Sequence, residues 1–392
     1  MKLKFLKILS KNNFIYLHIT KRYSSLIMTN TFFYKSRIVS FSLYILTPIG
    51  FYILLVGGLI FMCTALTLKT EDGYTLFGRN MDLEYSFNQA IHLIPRNYAY
   101  KNHVTHTDCH TKYAILGMGV ILSEEKHPTL ADGINEKGLA CAGLNFPDYI
   151  RYESTVVEGK NNIGPYDIIF WILSNFSSIE ELREPLNNLN IVGTPFDDKI
   201  PLPTLHWIVK DTTGACIVIE ATKEKLCVYE NHIGVLTNSP TFDWHINHLN
   251  QYVGLSSYQA ENTSWGDQPL TPSGHGLGAF GLPGDSSSIS RFVRIAFLKS
   301  VLPPIPTLER GISEYFNLLG NVSMTDGIII KPHNQHEITI YTACMCLEKG
   351  IYYYKSYTNH RITAIDMHKE NLDAPSIKTF NFIDKEDILL EN

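Results

Sequence analysis

The chain has 392 residues, 45% of them hydrophobic and 12% aromatic, which is material for a large packed core and excludes wholesale disorder. Its net charge of −5 conceals a division: residues 1–70 hold no Asp or Glu, and eight of the 33 Lys and Arg fall before residue 38. The body that follows is therefore acidic, which argues against nucleic acid as a partner, because phosphate contacts need a basic face.

From residue 38 to residue 68 no side chain is charged, and residues 41–62 are long and apolar enough to qualify as a membrane span. Basic residues ahead of it would hold that end inside the cell. On that reading the protein is membrane-anchored, and an unprocessed, inactive or binding protein. Against it, Pro48, Gly50, Gly57 and Gly58 interrupt the run. Ile60 and Met62 also stand where signal-peptidase or lipoprotein processing wants small residues. Residues 1–61 are rich in Lys, Asn, Ile, Leu, Phe, Tyr and Ser, as translated AT-rich DNA is. The codons of Gly57-Gly58 leave room for a purine-rich ribosome-binding sequence shortly before Met62. The preferred expectation is an N-terminal extension, residues 1–62, outside the working protein, with translation starting at Met62 and one domain over residues 63–392.

Past Cys63, residues 64–70 alternate, Asp72-Gly73 marks a tight turn, and residues 74–78 alternate again, which predicts a β-hairpin beginning at that cysteine. Strands are also predicted at 113–118, 205–210, 216–220, 226–229, 235–236, 337–345 and 350–354. Helical spacing of apolar residues appears at 166–175 and 178–189, the second opening on a Ser178 to Glu181 capping box. It recurs at 241–252, 288–301 and 308–319. Hairpin-joined strands and paired helices predict an α+β fold of antiparallel sheets with helices packed outside.

The seven cysteines, Cys63, Cys109, Cys141, Cys216, Cys227, Cys344 and Cys346, are odd in number and irregular in spacing, so buried free thiols in a reducing cytoplasm are expected. Gly276 to Gly281 fits a G-x-G-x-x-G pattern, but no strand precedes it and Pro283 follows, so it reads as a glycine-rich loop rather than a dinucleotide site. His103, His106, Asp108, Cys109 and His110 lack zinc-ligand spacing and read as a polar surface loop. No metal or organic cofactor is expected, and no G-x-S-x-G elbow supports a serine hydrolase.

The chemistry centres on Met62-Cys63. Removal of the Met leaves a cysteine bearing both a thiol and a free α-amine, and an α-amine of pKa about 7.7–8.0 can accept and return a proton near neutrality. A hairpin brings residues 79–82 back beside residue 63, so Arg79 is expected to favour the thiolate and Asp82 to hydrogen-bond the amine. Each residue alone has a plainer reading: a buried thiol, a surface ion pair, and turn residues in Asn145 and Asn238. Their joint occurrence in long motifs favours catalysis.

Those motifs are Met62-Cys63-Thr64-Ala65-Leu66, Phe77-Gly78-Arg79-Asn80-Met81-Asp82, Ala131-Asp132-Gly133-Ile134-Asn135-Glu136-Lys137-Gly138 and Gly143-Leu144-Asn145-Phe146-Pro147. Leu236-Thr237-Asn238-Ser239-Pro240, Gly281-Leu282-Pro283-Gly284-Asp285 and Ser290-Arg291-Phe292 follow in order. Over residues 62–392 the chain resembles the choloylglycine hydrolases, the conjugated bile acid (bile salt) hydrolases among the N-terminal-nucleophile amidases. The resemblance implies an αββα four-layer sandwich, an Ntn-hydrolase fold, and hydrolysis of the amide joining a bile acid to glycine or taurine through an acyl-enzyme. It implies Cys63 as nucleophile and base, Arg79 and Asp82 beside it, Asn145 and Asn238 holding amine and oxyanion, and Arg291 completing the charged pocket. Met81, Phe196 and Ile200 are the expected walls of the steroid pocket. Penicillin V acylases of the family tend to carry Tyr at the place of Asn145, so Asn favours bile salts, with penicillin V as the alternative substrate. Ser286-Ser287-Ser288-Ile289 departs from the family pattern. The resemblance further implies a cytoplasmic homo-oligomer, a tetramer.

Overall fold

The computed structural model describes residues 62–122, 126–195 and 201–392, with four two-residue strands ahead of them, and the chain divides into two units, Met1–Gly57 and Gly58–Asn392. In the first unit two short antiparallel pairings are described, Leu9–Ser10 with Asn13–Phe14 and Tyr44–Ile45 with Tyr52–Ile53. The rest of the apolar stretch before Met62 lies outside the described residues. Among the described residues no helix is long and apolar enough to cross a membrane.

In the second unit Met62–Lys69 runs out and Thr75–Leu83 returns antiparallel, with Met62 opposite Asp82 at one end and Lys69 opposite Thr75 at the other. The turn passes through Gly73, whose φ of 94° suits a residue without Cβ. This hairpin enters a six-stranded sheet in the order Val235–Leu236, Met62–Lys69, Thr75–Leu83, Ile338–Cys346, Ile351–Ser356, Thr363–Asp366. A second sheet has eight strands in the order Leu226–Glu230, Cys216–Ala221, Leu205–Lys210, Ala140–Asn145, His127–Asn135, Ile115–Leu122, Ala90–Ile94, Lys378–Phe380. Neighbouring strands in both sheets are antiparallel.

Strand alternation sorts the side chains into layers. Leu139, Cys141, Ile217 and Ile219 join Ile168, Ile172, Leu173 and Leu182 of the helices Ile168–Asn175 and Ile179–Asn187 in one buried cluster. Their strand neighbours Ala140, Ala142, Cys216 and Val218 belong to another, shared with the six-stranded sheet. Between the sheets, Tyr341 donates to Asp132 at 2.6 Å. On the outer face of the six-stranded sheet, Asn80 donates to the Leu319 carbonyl at 2.9 Å and Tyr315 to that of Leu66 at 2.7 Å. There the helices Ser288–Ser300 and Leu308–Gly320 contribute Phe292, Ile295, Tyr315 and Leu318 to the core. The order of layers is helix, sheet, sheet, helix.

All five expected helices form, with local corrections. The pattern read over 241–252 is an α-helix, Phe242–His248, that tightens into a 3-10 turn, Leu249–Tyr252. The helix read to 189 ends at Asn187, and Leu189–Ile191 pairs in parallel with Asn161–Ile163. Ser178 Oγ accepts from the Glu181 N–H at 3.2 Å, but the Glu181 carboxylate reaches back to Ser177 rather than closing the box on Ser178. Strands His127–Asn135 and Ala140–Asn145, at the middle of the larger sheet, were not expected. Ala140–Asn145 has two Ala and a Gly and no β-branched residue, and His127–Asn135 carries Pro128, Asp132 and Gly133, residue types depleted in strands. Their small residues serve packing, since a Cβ on Gly133 would meet the Gly117 Cα at 3.1 Å. The supposed polar loop at 103–110 closes a short pairing of Ala99–Lys101 with Asp108–His110. All seven cysteines are free, but Cys109 and Cys227 are half-buried rather than buried.

Candidate active site

Register decides which side chains can meet at Cys63. It pairs with Met81, and Ala65 pairs with Arg79, so the side chains of Cys63, Arg79 and Met81 share the face turned toward the eight-stranded sheet. Arg79 is fully buried and its Nη2 donates to the Cys63 sulfur, lying 3.1 Å from Met81 Sδ. Carbonyls hold the rest of the guanidinium: Nη1 donates to Gly143 at 2.5 Å and Ala131 at 3.4 Å, and Nε to Asn80 at 3.2 Å.

Asp82 faces the other way, alongside Met62, Thr64 and Asn80. Thr339 donates to its Oδ1 at 2.5 Å, while Oδ2 is buried with no hydrogen-bond partner among the described residues. Burial pushes the Asp82 carboxyl up to about 7, against the opposing pull of Arg291 and Thr339.

Arg291 stands in the first turn of Ser288–Ser300 and is fully buried. Its Nη1 donates to the Cys63 carbonyl at 2.5 Å and to Thr64 Oγ1 at 2.6 Å, and its Nη2 to Asn238 Oδ1 at 2.7 Å. The serine run just before it aims the side chain. Ser286 O accepts from Arg291 Nε at 3.0 Å, Ser287 caps the helix through the Ser290 N–H, and Ser288 Oγ accepts from the Asn238 N–H at 2.9 Å.

Asn238 lies just beyond the strand Val235–Leu236. Its Oδ1 also accepts from the Cys63 N–H at 3.0 Å, and its Nδ2 donates to the Asn145 carbonyl at 2.8 Å. Asn145 ends the strand Ala140–Asn145, and Thr204 donates to its Oδ1 at 2.5 Å. The main-chain N–H groups of Asn145 and Asp82 hydrogen-bond the Cys63 sulfur. Burial raises the Cys63 thiol above its ordinary value; Arg79 pulls it down most, the Asp82 charge pushes it up, and those two N–H groups pull it down.

The structure thus gathers Cys63, Arg79, Asn145, Asn238 and Arg291 into one connected cluster, with Asp82 on the opposite face of the hairpin. Met81 sits beside the thiol, whereas Phe196 and Ile200 lie outside the described residues. Sequence reasoning missed Thr64, Thr204, Ser288 and Thr339, because a Ser or Thr in a strand, a loop or a first helical turn has an ordinary local role that masks such a contact. It also missed Glu337, fully buried, which accepts from the Met62 N–H at 2.8 Å and pairs with Lys331 at 2.7 Å.

Residues 63–380 match the linear amide C–N hydrolases of the choloylglycine hydrolase family. The chain belongs to the choloylglycine hydrolase family. Among other members, it is 54% identical to the bile salt hydrolase/transferase of Clostridium perfringens over 321 residues, 82% of this chain and 97% of that one. With the bile salt hydrolase/transferase of Lactiplantibacillus plantarum the identity is 39% over 320 residues, 81% of this chain and 96% of that one. A crystal structure of an arginine-to-leucine variant of the conjugated bile acid hydrolase from Clostridium perfringens superposes with a TM-score of 0.80 at 52% identity, covering 84% of this chain and 100% of that one. A penicillin V acylase from Agrobacterium tumefaciens shares the fold at 21% identity and a TM-score of 0.65, over 81% of this chain and 91% of that one. The sheet-rich αββα sandwich of this choloylglycine hydrolase is the Ntn-hydrolase fold.

Proposed function

We propose that this choloylglycine hydrolase cleaves the amide bond joining a bile acid to glycine or taurine, with Cys63 as nucleophile and the Cys63 α-amine as base. The observation that carries the reading is the double setting of Cys63, sulfur against Arg79 and nitrogen 3.0 Å from Asn238 Oδ1. The names of the similar proteins supply the substrate class.

A peptide nitrogen cannot take up a proton, so the working enzyme needs Cys63 as its first residue, with residues 1–62 absent. The free amine, pKa about 7.7–8.0, then accepts the thiol proton. The thiolate attacks the amide carbonyl, and the resulting oxyanion is met by the Asn145 N–H and the Asn238 side chain. The C–N bond breaks as the ammonium returns the proton to the leaving nitrogen, leaving a thioester. Water, deprotonated by the same amine, releases the bile acid. Asp82, with one unpartnered oxygen, receives the ammonium, and Arg291 holds the Cys63 carbonyl and Asn238 in place. Met81, beside the thiol, forms part of the steroid pocket.

The same reading places the enzyme in the cytoplasm as a homo-oligomer, a tetramer. Tyr258, Trp265 and Phe280, exposed by 83%, 79% and 83%, are apolar surface suited to contact with other copies.

Rates on glycocholate, taurocholate and penicillin V, measured with the intact mass of the natural protein, test this. Conjugated bile salts should be the faster substrates and the active chain should begin at Cys63. Faster cleavage of penicillin V overturns the substrate, and an active chain that retains Met62 overturns the base. A monomeric mass in light scattering overturns the tetramer.

A further inference from the structure

Two buried histidines near Asn238 have no part in the chemistry above. His206, on Leu205–Lys210, is fully buried, with Nε2 3.0 Å from the Thr237 carbonyl and Nδ1 2.9 Å from Glu220 Oε1. His245, on Phe242–His248, is 1% exposed, with Nε2 2.9 Å from the Asn238 carbonyl. A carbonyl oxygen only accepts, so both Nε2 atoms carry hydrogen. Glu220 also accepts from the Phe242 N–H at 3.1 and 3.2 Å, which ties the His206 site to the start of the helix that carries His245.

Both rings are fixed by stacking. His206 lies on Phe146 with centroids 4.5 Å apart and planes 7° apart, and His245 on Phe292 at 4.5 Å and 17°. Phe292 directly follows Arg291. His245 Nδ1 is buried without a partner among the described residues, and burial holds that imidazole down at about 4, so the ring is neutral with its one hydrogen on Nε2.

The strand Val235–Leu236 ends just before Thr237, so the sheet ladder does not hold the next two carbonyls. We propose that His206 and His245 are positioning residues for the hydrolysis: their Nε2–H groups fix the carbonyls of Thr237 and Asn238, and with them the amide that meets the Cys63 nitrogen and Arg291. A displacement of about 1 Å at such a residue costs on the order of 100-fold in rate without removing any group that touches substrate. The inference rests on Cys63 as nucleophile. That reading fails separately, through a Cys63→Ala enzyme that still hydrolyses bile salts.

The test compares His245→Phe, which keeps the stacking ring and loses the donor, with His245→Gln, whose amide can return an N–H to the carbonyl. The Phe variant should lose about tenfold or more in kcat with KM little changed, and Gln should restore kcat to within about threefold of wild type. A Phe variant that turns over like wild type, or a Gln variant no better than Phe while both are folded by circular dichroism, overturns the proposal. Should the Phe variant not fold, nitrogen-15 NMR of the histidine rings decides. A His245 ring carrying Nε2–H is expected, and the Nδ1–H tautomer, which cannot donate to the Asn238 carbonyl, overturns it.

Discussion

Arg79 and Asp82 stand on one strand yet face opposite ways, because one pairs across the hairpin with Ala65 and the other with Met62. The positive group thereby meets the Cys63 sulfur between the sheets. The acidic one lies on the helix side, where Arg291 exerts the largest downward pull on its carboxyl. Thiol and nitrogen of a single residue are given separate electrostatic surroundings by strand alternation alone.

Arg79→Lys should slow alkylation of Cys63 by iodoacetamide. Arg79 donates to the sulfur while also holding the Gly143 and Ala131 carbonyls, a fork that a point-charge ammonium cannot reproduce. Each unit by which the thiol rises lowers the thiolate fraction at about pH 7 tenfold. A loss of about fivefold or more in the alkylation rate is expected. An unchanged rate, with the fold intact, shows that Arg79 does not set the thiolate population.

Asp82 carries a pH signature. Its carboxyl titrates at about 7 in the folded chain, above the ~3.9 of an unfolded Asp, so the folded state holds the proton more tightly. This contribution to stability is fully present below about pH 4 and is lost as pH rises through about 7. In a chain whose Cys63 nitrogen is still a peptide, Asp82→Asn should remove that loss, and the Tm gap between variant and wild type should widen from about pH 4 to 7. In a chain that begins at Cys63, the ammonium lowers the carboxyl and the gap should shrink. A gap independent of pH in both chains refutes this.

The hairpin was legible because Asp72-Gly73 and the flanking alternation are local signals, and it alone placed Arg79 next to Cys63. The five helices were legible for the same reason. The partners of Arg291 were not: Cys63 O, Thr64 Oγ1 and Asn238 Oδ1 come from segments far apart in sequence and meet only once the sheet and helix pack. Ser286–Ser288 looked like a departure from the family pattern, and is instead the stretch whose main chain and hydroxyls orient Arg291 and Asn238. His206 and His245 gave no signal, because an isolated histidine in an apolar run reads as core until its acceptor is seen.

Asn238→Ala removes the acceptor shared by the Cys63 nitrogen and Arg291 and the donor to Asn145 in one step. Loss of a single oxyanion donor costs about 2.7–4 kcal/mol, roughly 10²–10³ in kcat. A fall in that range on glycocholate is expected, with the circular dichroism spectrum unchanged. A fall of less than about threefold leaves Asn238 as a structural residue only.

Gly78→Ala tests how closely the strand carrying Arg79 must approach its neighbour. A Cβ there would sit 2.1 Å from the Ala343 carbonyl oxygen and 2.9 Å from the Cys344 Cα, both backbone atoms of Ile338–Cys346. Backbone cannot swing aside as a flexible side chain can, so the strands must part where Gly78 pairs with Cys344. Overpacking of this kind costs about 1–3 kcal/mol. The opening is next to Arg79, so kcat should fall as well. Gly73→Ala is the matched control: its Cβ meets nothing within 4 Å, but its φ of +94° costs about 1 kcal/mol, at a turn remote from the cysteine. Urea midpoints and kcat for the two variants should therefore diverge, with activity lost at Gly78 and kept at Gly73. Equal losses of stability with full activity in both would mean that the sheet tolerates a methyl beside Arg79, and that the guanidinium is held by its carbonyls rather than by the strand beneath it.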